Sequence, residues 1–405
     1  MLIGVAIGFA GIWLDMEEFI SNWIEPFGKL FIKALILIAV PLVFITLTKG
    51  IADLKGTASL SRLGGKTIAI YLATTVFAVL VGLSSAMILR PGKLISNELI
   101  ELVSDKYADK AHDIELKQLD SADNGPLGFL DQIIPGNIFQ AMSSNSNMLQ
   151  IIFFAILFGV AILSIPDTKK QALLTVIDAL NDAVMNIVGY IIKCAPIGVT
   201  ALMAGMVVDF NGDTMIFAAL GAYAANVIIG LLLLLLVFYP LLAQLFGKIR
   251  YTSFLRKVYP LQLFAFTTSS SAATLPMTFS TAREKLGVSD EVSSFVLPIG
   301  ATINMDGTSC YQTIATIFIA QALGIELTLV QILTIILMTT LSSIGTPAIP
   351  GGSYVILAMV LTSVGIPAES LALIIGIDRP LDMLRTSVNV TGDVTVAAII
   401  DKSAK

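Results

Sequence analysis

Near its C-terminus the chain places Asp378, Asp382, Arg385, Asn389 and Asp393 at steps of 4, 3, 4 and 4. On a helix that spacing makes one face, and the face presents carboxylates, a guanidinium and an amide. A guanidinium forks onto a carboxylate through parallel N–H bonds, and a carboxylate can meet an ammonium. A second polar run, Gly300-Ala301-Thr302-Ile303-Asn304-Met305-Asp306-Gly307-Thr308, sits inside the apolar stretch Ser293–Leu323. Asp306 and Asp393, with backbone carbonyls freed at the glycines, offer the hard oxygen ligands that a small cation prefers. Charges at bilayer depth are expensive unless paired or bound to an ion. A salt-bridge network that only joined helices would leave the polar tips described next without purpose. The last third therefore reads as built to hold a charged solute and cations inside a membrane.

Two elements must position these residues. From about Phe254 to Lys285 an apolar segment is interrupted by Thr267-Thr268-Ser269-Ser270-Ser271, and from about Thr328 to Val364 another is interrupted by Ser342-Ser343-Ile344-Gly345-Thr346-Pro347-Ala348-Ile349-Pro350-Gly351-Gly352-Ser353. Each half is too short to cross a bilayer, and each centre is too rich in Gly, Pro and Ser to continue as helix. A re-entrant hairpin fits both. The first is flanked by Arg256, Lys257, Arg283 and Lys285, so it enters from inside; the second is flanked by Glu326 and Glu369, so it enters from outside. A kinked helix would account for one such segment, not for two at matching positions. Hairpin, helix, hairpin, helix, entering from opposite faces, is an inverted repeat, with the binding site expected near the midplane.

Composition agrees. Of 405 residues 56% are hydrophobic and 13% charged, against about 25% charged in soluble domains. Spanning-length runs occur at Leu30–Leu47, Thr67–Leu89, Met148–Ile165 and Ala218–Leu242 as well as Ser293–Leu323. The run Leu2–Leu14 is short, and the start of helix one, with a basic leader, is expected to precede this numbering. Charge alternates along the chain: Asp15–Glu25 reads as an outer loop, Lys49–Lys66 as inner, Lys93–Asp123 as a long outer insert carrying four Lys and eight acids, Lys169–Lys170 as inner, Asp209 and Asp213 as outer, and Lys248–Lys257 and the C-terminal tail as inner. This gives six helices before residue 245. The two cysteines, Cys194 and Cys310, lie in apolar segments, so no disulfide framework is expected. The net charge of −5 says little about partners, and no nucleic-acid partner is expected.

At the serine-rich tip, Asn304-Met305-Asp306-Gly307-Thr308 and the Arg385…Asn389…Asp393 helix, the chain resembles the glutamate transporter family, the dicarboxylate/amino acid:cation symporters, over nearly its whole length. The resemblance implies an all-α polytopic membrane protein with eight transmembrane helices plus two re-entrant hairpins, working as an elevator and assembled as a homotrimer in the plasma membrane with both termini cytoplasmic. It implies scaffold helices 1 and 2 in residues 1–63, transport-domain helix 3 in 64–92, scaffold helices 4 and 5 in 93–200 with an outer loop at 93–125, transport-domain helix 6 in 201–247, and the transport core in 248–405. Arg385 then resembles the arginine that grips a substrate side-chain carboxylate, and Asp382 the partner of its amino group. Asn389 and Ser271 resemble the groups on the main carboxylate, Thr308 a side-chain contact and Ile349 a gate carbonyl; Ser269, Ser270, Ser353 and Thr386 complete the substrate set. For co-transported sodium, Gly300, Asn304, Asn389 and Asp393 look like one site, Thr302, Met305, Ser343, Ile344 and Thr346 a second, made mostly of backbone oxygens, and Tyr71, Thr74, Thr75, Asn304 and Asp306 a third.

Within the family Arg385 points to an acidic substrate, Asp382 to an amino acid rather than a plain dicarboxylate, and Asp306 with Asp393 to sodium rather than protons. Gln312 stands where animal relatives keep a protonatable Glu, so neither proton co-transport nor potassium counter-transport is expected. Ser269 stands where some prokaryotic members place an arginine, and Met383 where animal members place theirs. Arg379 is an extra charge, similar to some proton-coupled bacterial members, and either balances Asp382 or pairs with Asp378. The alternatives are a proton-coupled glutamate or C4-dicarboxylate carrier and an anion-conducting channel. An enzyme is not expected: there is no phosphate loop and no HExxH, and the only histidine, His112, lies in the outer insert.

Overall fold

In lipid a backbone N–H finds no water, so long apolar runs close their hydrogen bonds within a helix. The computed structural model describes residues 2–52, 58–94, 134–144, 147–210, 212–213, 215–344, 346 and 351–404, and it is helical with no strand among them. Helix α1 is Leu2–Trp13, α2 is Glu25–Ala52, α3 is Ala58–Leu89, α4 is Met148–Leu163, α5 is Asp167–Lys193, α6 is Ala195–Asp209 and α7 is Met215–Leu233, the last running on through a wider turn at Leu234–Phe238 to Leu245. Four described segments are long and apolar enough to cross a membrane: Glu17–Ala52, Gly64–Leu94, Asp167–Lys193 and Met215–Leu245. Most of the outer insert, with its His112, and residues 53–57 of the inner stretch lie outside the described residues.

The expected outer loop at Asp15–Glu25 is instead mostly helix. Glu17–Phe19 and the wider turn Ile20–Ile24 lead straight into α2. Acids in a first helical turn face the positive end of the helix dipole, so Glu17 and Glu18 start this helix rather than interrupt it. The boundary expected at 200/201 falls inside α6, which packs on α1 and α2. Small residues make that packing close: a methyl at Gly8 would stand 2.5 Å from Val207 Cβ and 2.9 Å from the Ala204 carbonyl. Helices α2, α4, α5 and α6 form one packing group.

The last third builds the other. Helix α8, Tyr251–Thr268, and α9, Ser271–Ser280, meet at Ser269 and Ser270. Then follow α10, Asp290–Ile303; α11, Asp306–Ala322; α12, Leu329–Ser343; α13, Ser353–Ser363; and α14, Asp378–Ala404. Both interrupted segments are thus paired helices around a polar centre, as the sequence suggests. The stretch Ser293–Leu323 is not continuous: Asn304, at φ −88 and ψ 89, breaks it. Helices α3, α7, α8, α9, α10 and α11 all pack against α14.

Burial is inverted relative to a soluble protein. Leu37 and Ile88 keep 77% of their surface exposed, whereas Asp378 and Arg385 are fully buried. An apolar exterior around a charged interior is what lipid selects.

Candidate functional site

Helix α14 carries its expected polar face into the middle of the second packing group. Arg385 Nη2 donates to Asp378 Oδ2 at 2.9 Å and to Asp382 Oδ1 at 2.8 Å, and Nη1 lies 2.9 Å from Asp378 Oδ1. The guanidinium carbon sits 3.8 Å from the centroid of the Tyr311 ring, where a cation meets the negative face of the π-system. The Nε of Arg385 has no acceptor among the described residues. Arg379, exposed at the start of the same helix, brings Nη1 to 3.6 Å from Asp382 Oδ2, which also accepts from the Gly351 amide at 3.3 Å. Of the two partners open to Arg379 it takes Asp382, because Arg385 lies against both oxygens of Asp378 but against only Oδ1 of Asp382. Two arginines thus face two aspartates.

One turn further along, Asn389 ties α14 to the break between α10 and α11. Its Oδ1 accepts from the Gly307 amide at 2.8 Å, and its Nδ2 approaches Met305 Sδ at 3.3 Å and Thr308 Oγ1 at 3.5 Å. Gly307 is required there, since a methyl would lie 2.6 Å from the Arg385 carbonyl oxygen. Asn304 spends both amide protons, on the Asn389 carbonyl at 3.1 Å and on Asp393 Oδ1 at 2.8 Å. Its Oδ1 is buried and accepts from no described residue. Asp306 accepts from Thr75 Oγ1 and from Tyr239 Oη, each at 2.6 Å. Thr74 donates to the Tyr71 carbonyl at 3.0 Å, and the Thr75 hydroxyl oxygen lies 2.9 Å from the same carbonyl.

Glycines keep the two aspartates in one cage. A methyl on Gly300 would meet Tyr71 Oη and stand 2.5 Å from Asp393 Oδ1; one on Gly392 would stand 2.6 Å from Asn304 Nδ2 and 2.9 Å from Tyr239 Oη. Asp306 and Asp393 are buried and form no ion pair with a Lys or Arg among the described residues. Two buried carboxylates held only by neutral donors, beside an unmatched amide oxygen, suit a small hard cation.

The first and third predicted cation sets are therefore brought together, and they share Asn304. The second is not. Thr302 is exposed, with its hydroxyl on the Ile299 carbonyl, and the hydroxyls of Ser343 and Thr346 bond back to Thr340 and Ser342. No hydrogen bond among the described residues joins Thr302 or Met305 to Ser343, Ile344 or Thr346. Ile349 lies outside the described residues.

At the first tip Ser269 is left-handed, φ 51, a conformation non-glycine residues hold at a cost of about 1–3 kcal/mol, typically where function over-determines them. Ser270 caps α9 by accepting from the Ala273 amide at 3.2 Å, and Ser271 is buried behind it. Ser353 opens α13, and Thr386 donates to the Asp382 carbonyl at 3.0 Å. The hydroxyls of Ser269 and Ser353 are buried with no partner among the described residues. A buried polar atom without a partner costs about 1–3 kcal/mol, and Arg385 Nε shares that condition, so these atoms are candidates to bond a polar solute.

Sequence reasoning misses two aromatic residues. Tyr239 sits in the leucine-rich run of α7, and Tyr311 follows the Asp306-Gly307-Thr308 motif by three residues. A phenol inside an apolar run is the one available signal, because a buried Tyr Oη usually finds a partner, as that of Tyr239 does on Asp306. Tyr239→Phe is expected to cost about 1.5–3 kcal/mol, the worth of a hydrogen bond to a charged group. A lower unfolding temperature in detergent with unchanged helicity would show it; an unchanged temperature would refute the bond to Asp306.

The Sodium:dicarboxylate symporter family profile matches residues 1–403. A Proton/glutamate-aspartate symporter from Escherichia coli (strain K12) is 33% identical over 99% of this chain and 90% of its own length. A Proton/sodium-glutamate symport protein from Bacillus subtilis (strain 168) is 34% identical over 99% and 90%. Excitatory amino acid transporter 4 from Mus musculus is 32% identical over 99% of this chain and 81% of its own length. With its buried arginine–aspartate cluster, its two-aspartate cage and a match along almost its full length, the chain belongs to the sodium:dicarboxylate symporter family.

Proposed function

We propose that this protein is a secondary symporter importing an acidic amino acid, aspartate or glutamate, together with sodium ions. The observation that carries the reading is the pairing of two unlike sites on α14: a fully buried arginine between carboxylates, and a cage of two carboxylates with no cation of the protein's own. A substrate carboxylate competes for Arg385, and its ammonium takes the place of Arg379 on the open side of Asp382. Sodium at Asp306 and Asp393 offsets the cost of burying them, so cation and solute stabilise one helix together. Relatives named for glutamate and aspartate support the substrate, and relatives that are transporters support a protein without enzymatic chemistry.

The reading extends to an elevator in which α3, α7 and the last third move against α1, α2 and α4 to α6, to a homotrimer, and to a plasma-membrane location with cytoplasmic termini. Basic residues at the ends of α3, α7 and α14 support that orientation. A second reading, proton coupling, is favoured by the Escherichia coli relative's name. Purified protein in liposomes separates the two: uptake of labelled aspartate, glutamate and succinate is measured under a sodium gradient or a proton gradient alone. Aspartate or glutamate uptake under sodium alone is the expected result; uptake under a proton gradient without sodium would sink the sodium reading.

A further inference from the structure

Away from the site, a groove of about 590 Å³ opens between α3, the end of α7 and the end of α14. Its floor is apolar, built from Ile70, Phe77, Phe238 and Leu242, with Phe77 and Phe238 stacked at 4.0 Å. Its rim is not: Lys66, Lys248 and Lys402, one from each of the three elements, converge on it. All three are exposed and make no ion pair with an acid among the described residues. The nearest acid in sequence, Asp401, is buried and accepts from the Ser289 amide. Lys248 is held at φ 54, outside the usual range for a residue with a side chain.

An apolar floor in a bilayer needs hydrocarbon, and acyl chains supply it. Three uncompensated lysines at one end of that floor need an anion at the depth where headgroups lie. Basic pockets between spanning helices recognise anionic lipid headgroups on these terms. A soluble phosphate could use the lysines but gains nothing from the floor; a zwitterionic lipid could use the floor but gains little from the lysines. We propose that this groove is a binding site for one anionic phospholipid, its tails on Ile70, Phe77 and Phe238 and its phosphate between Lys66, Lys248 and Lys402. Thr74, eight residues along α3 from Lys66, lines the same wall, and its neighbour Thr75 donates to Asp306, so the lipid braces the helix that contacts Asp306.

The test uses the full-length protein in detergent with an equimolar mixture of dioleoyl phosphatidylglycerol and dioleoyl phosphatidylcholine, read by native mass spectrometry. Wild type is expected to retain phosphatidylglycerol over phosphatidylcholine by about tenfold or more. The variant Lys66→Gln/Lys248→Gln/Lys402→Gln is expected to retain the two equally. Equal retention by wild type, or undiminished preference in the variant, overturns the proposal. Should the variant fail to fold, dihexanoyl phosphatidylglycerol on wild type decides: the same headgroup without long tails is expected to be lost, and its retention at the level of the dioleoyl lipid overturns the site.

Discussion

Arg385→Cys is expected to reduce uptake of aspartate and glutamate by about 100-fold or more. Each hydrogen bond from a charged group is worth about 1.5–3 kcal/mol, and a forked pair supplies two, so the loss in affinity spans at least two decades. The same change leaves Asp378 buried without its cation and Asp382 with only exposed Arg379. Breaking a buried pair by removing one partner costs about 3–5 kcal/mol, a large share of a typical domain's stability. The two losses can be separated. Asp378→Asn in the Arg385→Cys background removes the stranded charge, so it is expected to recover thermal stability without recovering acidic uptake, while neutral amino acids become better substrates. Unchanged aspartate uptake in folded Arg385→Cys protein would refute the assigned role.

The second large effect is at the cage. Asn304 donates both amide protons, to Asn389 and to Asp393, and its buried oxygen accepts from no described residue. Asp393→Asn keeps an acceptor for that amide but loses the charge. A unit charge pair at about 4 Å is worth about 4 kcal/mol at an effective dielectric of 20, roughly a thousandfold in cation affinity. Wild type should gain about 2.7 kcal/mol of stability at a sodium concentration one hundred times its dissociation constant, seen as a higher unfolding temperature in sodium than in potassium. The variant should show no such difference over the same range. A sodium-dependent shift as large as that of wild type would remove Asp393 from the site.

Much of this site is legible in the order of residues alone. The 4, 3, 4, 4 spacing places Asp378 to Asp393 on one face because helical periodicity is a local property, and Asn304-Met305-Asp306-Gly307 marks the cage because small and polar residues in an apolar run have few other uses. What is not legible depends on neighbours distant in sequence. Tyr239 reaches Asp306 across 67 residues, and Thr75 does so across 231; no local pattern encodes such pairs. Gly300 and Gly307 signal a break in the run Ser293–Leu323 but not its place, which falls between them at Asn304. Glu17 and Glu18 mislead in the opposite direction, because acids suit both an outer loop and the first turn of a helix. The partner of Arg379 is open in the sequence and closes only once Asp378 is found on Arg385.

That cluster has an electrical meaning. Arg379 and Arg385 carry two positive charges and Asp378 and Asp382 two negative ones, a sum of zero. The cage is not balanced: Asp306 and Asp393 are two buried acids with no Lys or Arg partner among the described residues. Displacing a unit charge through 100 mV takes about 2.3 kcal/mol, so on the reading of a moving core, each of these acids that crossed such a potential ionised and without a cation would add about that much. On that reading the arginine–aspartate cluster is neutral to voltage on its own, and the charge on which the membrane potential acts is whatever the cage leaves uncompensated.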